Sequence, residues 1–406
     1  MESAAALALQ ASDPALYPAV LSTTQPGSHS VEHRLFRALA PAQAYTDPAK
    51  ALQGLQELPW TPQESSAETV PGDEGWLVFL SYEFAGAVWP TRLRLPQSPG
   101  FPLLTLQRVR LEAVDSAPPP PLEAQRLLPL DAWEEEPAAS YLEHVQKIRE
   151  YILAGDVYQV NLTRRWVAEA RGLDPSAIQR RLLAANPAPF SLRYAGPGFE
   201  LLSSSPERLF AVRGRSIRTQ PIAGTRPRGR DGEADGALRA QLLANPKEGA
   251  EHLMLVDLER NDLGRVAEAG SVRVPRLMAV EPFATVQHLV SDVEATLRPE
   301  VGLADIVGAV FPGGTITGCP KLRCMQIIAE LEGRPRMAYT GSFGYCMDSG
   351  VADMNILIRT LLLHQGRLHL DAGAGIVADS DAEAELEETR AKARGVLSGL
   401  ALGQVL

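Results

Sequence analysis

Two pairs of glutamates, far apart in the sequence, restrict how this chain can fold. Glu248 and Glu251 lie in Glu248-Gly-Ala-Glu-His-Leu-Met-Leu-Val-Asp257, and Glu385 and Glu388 lie in Glu385-Leu-Glu-Glu-Thr-Arg-Ala-Lys392. A spacing of three puts both carboxylates of each pair on one face of a helix. Lys392 continues the same face of the second helix, and Gly373-Ala-Gly-Ile-Val-Ala-Asp-Ser380 before it reads as a glycine-rich turn. If the two helices face each other, four carboxylates converge. Like charges about 4 Å apart repel by roughly 4 kcal/mol at an effective dielectric near 20, so the cluster requires a bound cation or shared protons. Oxygen-only donors at that density suit Mg²⁺.

The 406 residues are 45% hydrophobic and 22% charged, enough to bury a large core. A net charge of -10 argues against a nucleic-acid or anionic-membrane surface. Cys319, Cys324 and Cys346 are too few and too irregularly spaced for a disulfide framework or a zinc site, and read as reduced, packed thiols. Glu2 and the lack of a basic start argue against a signal peptide, and no apolar run reaches membrane-spanning length, so the expected compartment is the cytoplasm.

Residues 1–114 carry short strand-like runs such as Gly75-Trp-Leu-Val-Phe-Leu-Ser-Tyr82 and read as an N-terminal subregion. The proline and acidic clusters of 115–139 read as an exposed linker, and 140–398 as the main functional region. Helical spacing predicts helices over 141–153, 178–185, 237–260, 321–331 and 381–400. Strands are expected over 157–163, 201–204, 209–212, 342–346, 355–362 and 367–371. Strand clusters broken by isolated helices, without regular alternation, favour an α+β fold built as a single large α/β sandwich.

Several local patterns carry chemistry. Phe311-Pro-Gly-Gly-Thr-Ile-Thr-Gly-Cys-Pro-Lys321 is a glycine-rich turn entering a helix, suited either to an anion or simply to a tight turn. It is not a P-loop, because Cys319 and Pro320 follow Gly318. Pro221-Ile-Ala-Gly-Thr-Arg-Pro-Arg-Gly229 exposes backbone and two arginines, groups that bind carboxylates or are merely solvated. Glu207, in Ser203-Ser-Ser-Pro-Glu-Arg208, opens an apolar strand where burial raises a carboxyl pKa for general-acid work, although a salt-bridged structural role fits equally. Arg359 interrupts the apolar Ile356-Leu-Ile-Arg-Thr360, and a buried arginine needs an anion opposite it.

Taken together and in order, these stretches resemble the chorismate-utilising enzymes over roughly residues 140 to 398. The similarity is carried by Gly155-Asp-Val-Tyr-Gln-Val-Asn-Leu162, Ser205-Pro-Glu207, Pro221-Ile-Ala-Gly-Thr225, Glu251-His-Leu-Met-Leu-Val-Asp257, Arg260-Asn-Asp262, the glycine turn to Lys321, Asp353 to Arg359 and the C-terminal helix. Before residue 115 it is weaker, centred on Leu80-Ser-Tyr-Glu83. The resemblance implies a sandwich that binds chorismate, a dianion, with Mg²⁺. It implies Glu251 and Glu388 as principal metal ligands, with Glu248 and Glu385 as ligands or holders of metal-bound water. The ring carboxylate is expected on the metal and the Gly224 and Thr225 turn. The enolpyruvyl carboxylate is expected at Arg359, Tyr339 and the Gly375 N–H, with Lys321 also among the substrate-binding residues. Glu207 resembles the general acid that assists loss of the C4 hydroxyl, and His288, Thr315 and Lys392 fall at active-site positions.

Gln159 occupies the place where water-adding members carry a lysine base, so the resemblance is to members that use ammonia. Within these, Tyr158-Gln-Val-Asn-Leu162, Gly313-Gly-Thr-Ile-Thr-Gly318 and Asp353-Met-Asn355 look more like component I of aminodeoxychorismate synthase. Ala223, at a position where many of those enzymes hold a nucleophilic lysine, looks like anthranilate synthase component I. A tryptophan-feedback motif of the Leu-Leu-Glu-Ser kind is not apparent. The chain carries no Gly-x-Cys-x-Gly nucleophile turn, so the resemblance implies ammonia from a separate glutamine amidotransferase subunit. A chorismate-fold binding module without catalysis is the remaining alternative, and retention of Glu207 speaks against it.

Overall fold

The computed structural model describes residues 3–24, 31–64, 68–113, 132–283 and 286–400. Most of the expected 115–139 linker lies outside these residues; of the rest, Glu134 and Glu135 pair with Val167 and Trp166. Among the described residues, nineteen strands join one hydrogen-bonded network in which every pairing is antiparallel.

One half of the network runs from Val286–Thr296 through Ser216–Thr219, Arg208–Arg213, Ala352–Asn355, Ser342–Met347 and Glu74–Leu80 to Leu104–Glu112. It continues through Val31–Ala38 and Ala19–Thr24 into a second half, Phe190–Gly196, Phe199–Ser205, Thr360–His364, Arg367–Ile376 and Gln159–Glu169. The two halves then pack face to face. Tyr194 and Phe343 sit on strands that are not neighbours in this order, yet their ring centroids are 4.5 Å apart.

Alternation along each strand sorts the core. Leu77 and Phe79 face the layer between the halves with Phe36, Tyr194, Leu201 and Phe343. Val78 and Leu80, one residue out of phase, face the helix side with Ile306, Phe311 and Ile328. On the second half, Leu202, Leu361 and Leu370 lie under Ile178 and Leu182 of helix Pro175–Ala185 and Ala393 and Val396 of helix Ala382–Leu397. The result is the expected sandwich, with paired sheets inside and helices outside.

Three sequence expectations change. Residues 237–260 are not one helix but parts of two, Gly232–Ala244 and Pro246–Gly264, because Pro246 lacks an N–H and disfavours helical geometry at Asn245. Residues 355–362 are not one strand; pairing stops at Asn355 and resumes at Thr360. Gly373 and Gly375 lie inside strand Arg367–Ile376, not in a turn.

Phe79 packs against Phe199 at 4.9 Å and Phe101 at 6.0 Å between centroids, so Phe79→Ala empties the centre of the inter-sheet layer. The expected loss of unfolding free energy is about 3–5 kcal/mol, read from urea denaturation with an unchanged m-value.

Candidate active site

The break between Asn355 and Thr360 has a partner. Strands Phe199–Ser205 and Arg208–Arg213 are consecutive in sequence but belong to different halves, so the chain crosses the sandwich at Pro206 and Glu207. The segment from Ile356 to Arg359 crosses beside it. Ile356 N donates to Glu207 O at 3.0 Å, and Ser205 Oγ donates to Ile356 O at 2.5 Å. The two crossings therefore hold each other, and they place Glu207 and Arg359 in the corner between the half-sheets.

Glu207 is buried, and Thr315 Oγ1 donates to its Oε1 at 2.5 Å. The short helical turn Gly314–Ile316 delivers that hydroxyl, so the glycine-rich segment serves to place Thr315. Gly318 and Cys319 pair with Val160 and Gln159. Burial pushes Glu207 up to about 7, against the lowering influences of the Thr315 hydrogen bond, Arg359 and Lys392. Arg359 adopts φ 49°, a strained backbone for a bulky side chain. Burial holds its guanidinium below the ordinary arginine value, and Glu207 opposes that shift. Among the described residues no carboxylate forms an ion pair with it.

A second wall comes from strand Ile222–Pro227, an edge strand and not the open turn expected from its sequence. A bulge between Ala223 and Thr225 puts Gly224 at φ 70°. A Cβ there would stand 2.7 Å from Glu248 Oε2, so only glycine fits. Thr225 Oγ1 lies 2.9 Å from His288 Nδ1, while His288 Nε2 is buried with no hydrogen-bond partner among the described residues. Burial, then the Arg359 charge, lowers His288 to about 4, which leaves a neutral ring at pH 7.

The glutamate pairs are not gathered in advance. Among the described residues, no three His, Cys, Asp or Glu side chains come together in a metal-holding group. Glu248 Oε1 accepts from Arg226 Nη1 at 2.7 Å, and Glu388 pairs with Lys392 at 2.7 Å. Glu385 Oε1 accepts from Ser380 Oγ at 2.6 Å. Glu248, Glu385 and Glu388 have thus each taken a local cation or hydroxyl. Among the described residues Glu248 Oε2 is buried without a hydrogen-bond partner, and Glu251 follows one turn later. The available donors are all oxygen, which fits a hard dication such as Mg²⁺.

Lys392 Nζ also donates to Gly373 O at 2.9 Å. Asn161 lies opposite Gly375 and Thr163 opposite Gly373, and the missing side chains of the two glycines leave room for the diagonal amides of Gln159 and Asn161. Tyr339 is buried, which raises its hydroxyl pKa, on a segment fixed from outside the C-terminal region. The buried Glu83 carboxylate accepts from Arg336 N at 2.7 Å and Met337 N at 3.1 Å. The Arg336 guanidinium stacks 4.8 Å over the Tyr82 ring and pairs with Glu332. Leu80-Ser-Tyr-Glu83 had marked the spot in sequence without showing what it touches. Tyr141 is a further residue that its helix pattern hid: its buried hydroxyl has no hydrogen-bond partner among the described residues and feels Glu385 and Glu388.

Lys321 departs from expectation. Its ammonium donates to Asp262 Oδ2 at 2.5 Å and to Val310 O at 2.9 Å, both in the interior. Asp262 is itself buried and needs that charge, so Lys321 ties two helices together and is not open to a substrate.

Comparison with known proteins agrees with the fold. The chorismate binding enzyme family matches residues 29–398, and the chain belongs to that family. An anthranilate synthase component I-like protein of Synechocystis is 45% identical over 72% of this chain and 59% of its own length. Aminodeoxychorismate synthase component 1 of Klebsiella aerogenes is 51% identical over 64% of this chain and 57% of its own. The chain thus spans less than two thirds of these curated relatives. Anthranilate synthase component I from Streptococcus pneumoniae superposes with a TM-score of 0.74 at 29% identity, covering 93% of this chain and 92% of that one. No described helix is long and apolar enough to cross a membrane.

Because Glu207 is raised in the folded protein above the ordinary carboxyl value, its protonation favours folding at low pH, and that contribution fades as pH rises through about 7. Glu207→Gln lacks the ionisation, so the variant should gain stability relative to the parent between about pH 5 and pH 8, measured as the difference in thermal midpoint across that range. For Lys321→Met, which strands Asp262, the expectation is about 3–5 kcal/mol lower stability, with chorismate affinity of the folded fraction unchanged by calorimetry.

Proposed function

We propose that this protein binds chorismate in the crossover corner and replaces its C4 hydroxyl with an amino group, forming 4-amino-4-deoxychorismate for 4-aminobenzoate and folate synthesis. The observation that carries the reading is Glu207: a carboxyl buried beside Thr315, half protonated near pH 7, with the Arg359 charge acting on it. Hydroxide is a poor leaving group, and a neutral acid at that place can protonate it.

The site's own residues divide the work. Arg359, Tyr339 and the Gly375 N–H meet the enolpyruvyl carboxylate, and Gly224 and Thr225 meet the ring carboxylate. Glu248, Glu251, Glu385 and Glu388 would hold Mg²⁺, which supplies positive charge for the ring carboxylate when bound. His288, neutral and with Nε2 unpaired, orients the ring together with Thr315. Glu207 gives its proton to the departing hydroxyl, the C4–O bond breaks to release water, and the nitrogen lone pair forms the C4–N bond. The proton shed by the new amine balances the one Glu207 supplied. Lys392, paired with Glu388, keeps a positive charge near the acid.

The neutral amide of Gln159 supports ammonia over water as nucleophile, since water needs a base there. The ammonia would come from a separate glutamine amidotransferase subunit. Ala223 offers no nucleophile, so either another group acts in its place or displacement at C4 is direct. That same alanine favours a second reading, anthranilate synthase component I, in which ammonia enters at C2 and pyruvate is eliminated.

Product analysis tests the choice: purified protein with chorismate, Mg²⁺ and ammonium, with and without an aminodeoxychorismate lyase. 4-Aminobenzoate formed only with the lyase supports the first reading, and anthranilate formed without it supports the second. Glu207→Gln should bind chorismate with unchanged affinity and lose about 10²–10⁴-fold in kcat; turnover equal to the parent would remove Glu207 from the acid role.

A further inference from the structure

Helix Pro246–Gly264 brings Glu248 and Glu251 to the site, yet its apolar anchors Leu255, Val256 and Leu258 all come later. Over residues 246–254, His252 alone among the described side chains is buried. It follows Glu248 by one turn, on the same side of the helix. The half of the helix that carries the carboxylates is therefore seated on the sheet by an imidazole.

One contact fixes the direction of that ring. His252 Nε2 lies 2.6 Å from Ser291 Oγ, and both residues are fully buried. The Ser291 hydroxyl also accepts from Met278 N at 2.9 Å, at a residue with φ 52° where the strand register shifts. Ser291 N donates to Pro221 O at 3.3 Å. Among the described residues the hydroxyl hydrogen has no acceptor other than Nε2. The ring proton then sits on Nδ1, which is buried with no hydrogen-bond partner among those residues. A buried N–H left unpaired is unfavourable, and leucine would fill the space without one. What histidine adds is the bond to Ser291, which ties the helix to strand Val286–Thr296 at one register.

That register matters beside the site. Strand Val286–Thr296 pairs with Ile222–Pro227, with Leu289 opposite Ala223 and His288 opposite Thr225. Glu248 Oε2 comes so close to Gly224 that a Cβ there would stand 2.7 Å away. Sliding the helix by one residue moves Glu248 by about 1.5 Å, and Mg²⁺ demands near-ideal octahedral geometry. We propose that His252 is a positioning residue for the cation: through Ser291 it holds Glu248 and Glu251 at the level of the Gly224 strand where they can share one Mg²⁺ with the C-terminal glutamates. This rests on the Mg²⁺ reading above. The ring, wholly enclosed, acts through the helix and not by touching cation or substrate.

Thermal unfolding of the chorismate-free protein across a Mg²⁺ titration tests this, with the Mg²⁺ Kd taken from the rise in midpoint. His252→Leu, which fills the space and drops the bond, should weaken Mg²⁺ binding about 10–100-fold, while its metal-free midpoint stays near that of the parent. His252→Gln, whose amide can still meet the Ser291 hydroxyl, should recover much of the loss. Ser291→Ala cuts the same bond from the other side and gives the measurement if His252→Leu does not fold. The double variant should bind Mg²⁺ no more weakly than the weaker single one. An unchanged Mg²⁺ Kd in the folded variants overturns the inference, as does a loss that His252→Gln leaves in full. A parent protein whose midpoint does not respond to Mg²⁺ sinks the metal reading instead, before any variant is compared.

Discussion

Burial of one carboxyl group sets the terms for the site. In water Glu207 would be ionised at neutral pH and could not donate a proton. The corner keeps it dry because two chain segments cross the sandwich together, each hydrogen-bonded to the other. Arg359 and Lys392 both pull its pKa down, yet burial outweighs them. Lys392 is kept from pairing with it by Glu388 and by Gly373 O. Arg359 stays near with no ion pair among the described residues, its backbone in a left-handed conformation between the strands that end at Asn355 and begin at Thr360.

The glutamate pairs obey the same electrostatics with the opposite result. Four carboxylates would not wait together without a cation, and here each pair has found local company in Arg226, Ser380 or Lys392. Binding a dication would exchange those partners for stronger ones, at the cost of releasing Arg226 and Lys392. Both released cations would then lie beside an incoming dianion, so the exchange conserves charge within the pocket.

Much of this was legible in the sequence, and the gaps have physical causes. Period-two and helical patterns located the core strands and the helix that bears Glu385 and Glu388, because burial writes itself into hydrophobicity. The break at Ile356 to Arg359 was hidden since its residues are as apolar as a strand, and a positive φ leaves no mark unless glycine supplies it. Gly373 and Gly375 were misread as a turn: glycine signals close approach as well as bending, and only the cross-strand amides show which. Lys321 was misassigned because Asp262, its partner, lies across the interior. Glu83 and His252 owe their significance to residues distant in sequence, which no local pattern contains.

The sheet order has a consequence for how the protein is made. Strand Glu74–Leu80 lies between Leu104–Glu112 and Ser342–Met347, and Glu83 holds Arg336 and Met337. The first of these neighbours is synthesised at once, the second near the end. At ribosomal rates of about 5–20 residues per second the early strands wait on the order of tens of seconds with one edge open. Val78 and Leu80 face Ile306, Phe311 and Ile328, which are synthesised late, so the nascent chain carries a half-finished sheet through most of its synthesis. A fold that assembles its active site from both ends of the sequence thereby makes its own production dependent on protection from aggregation.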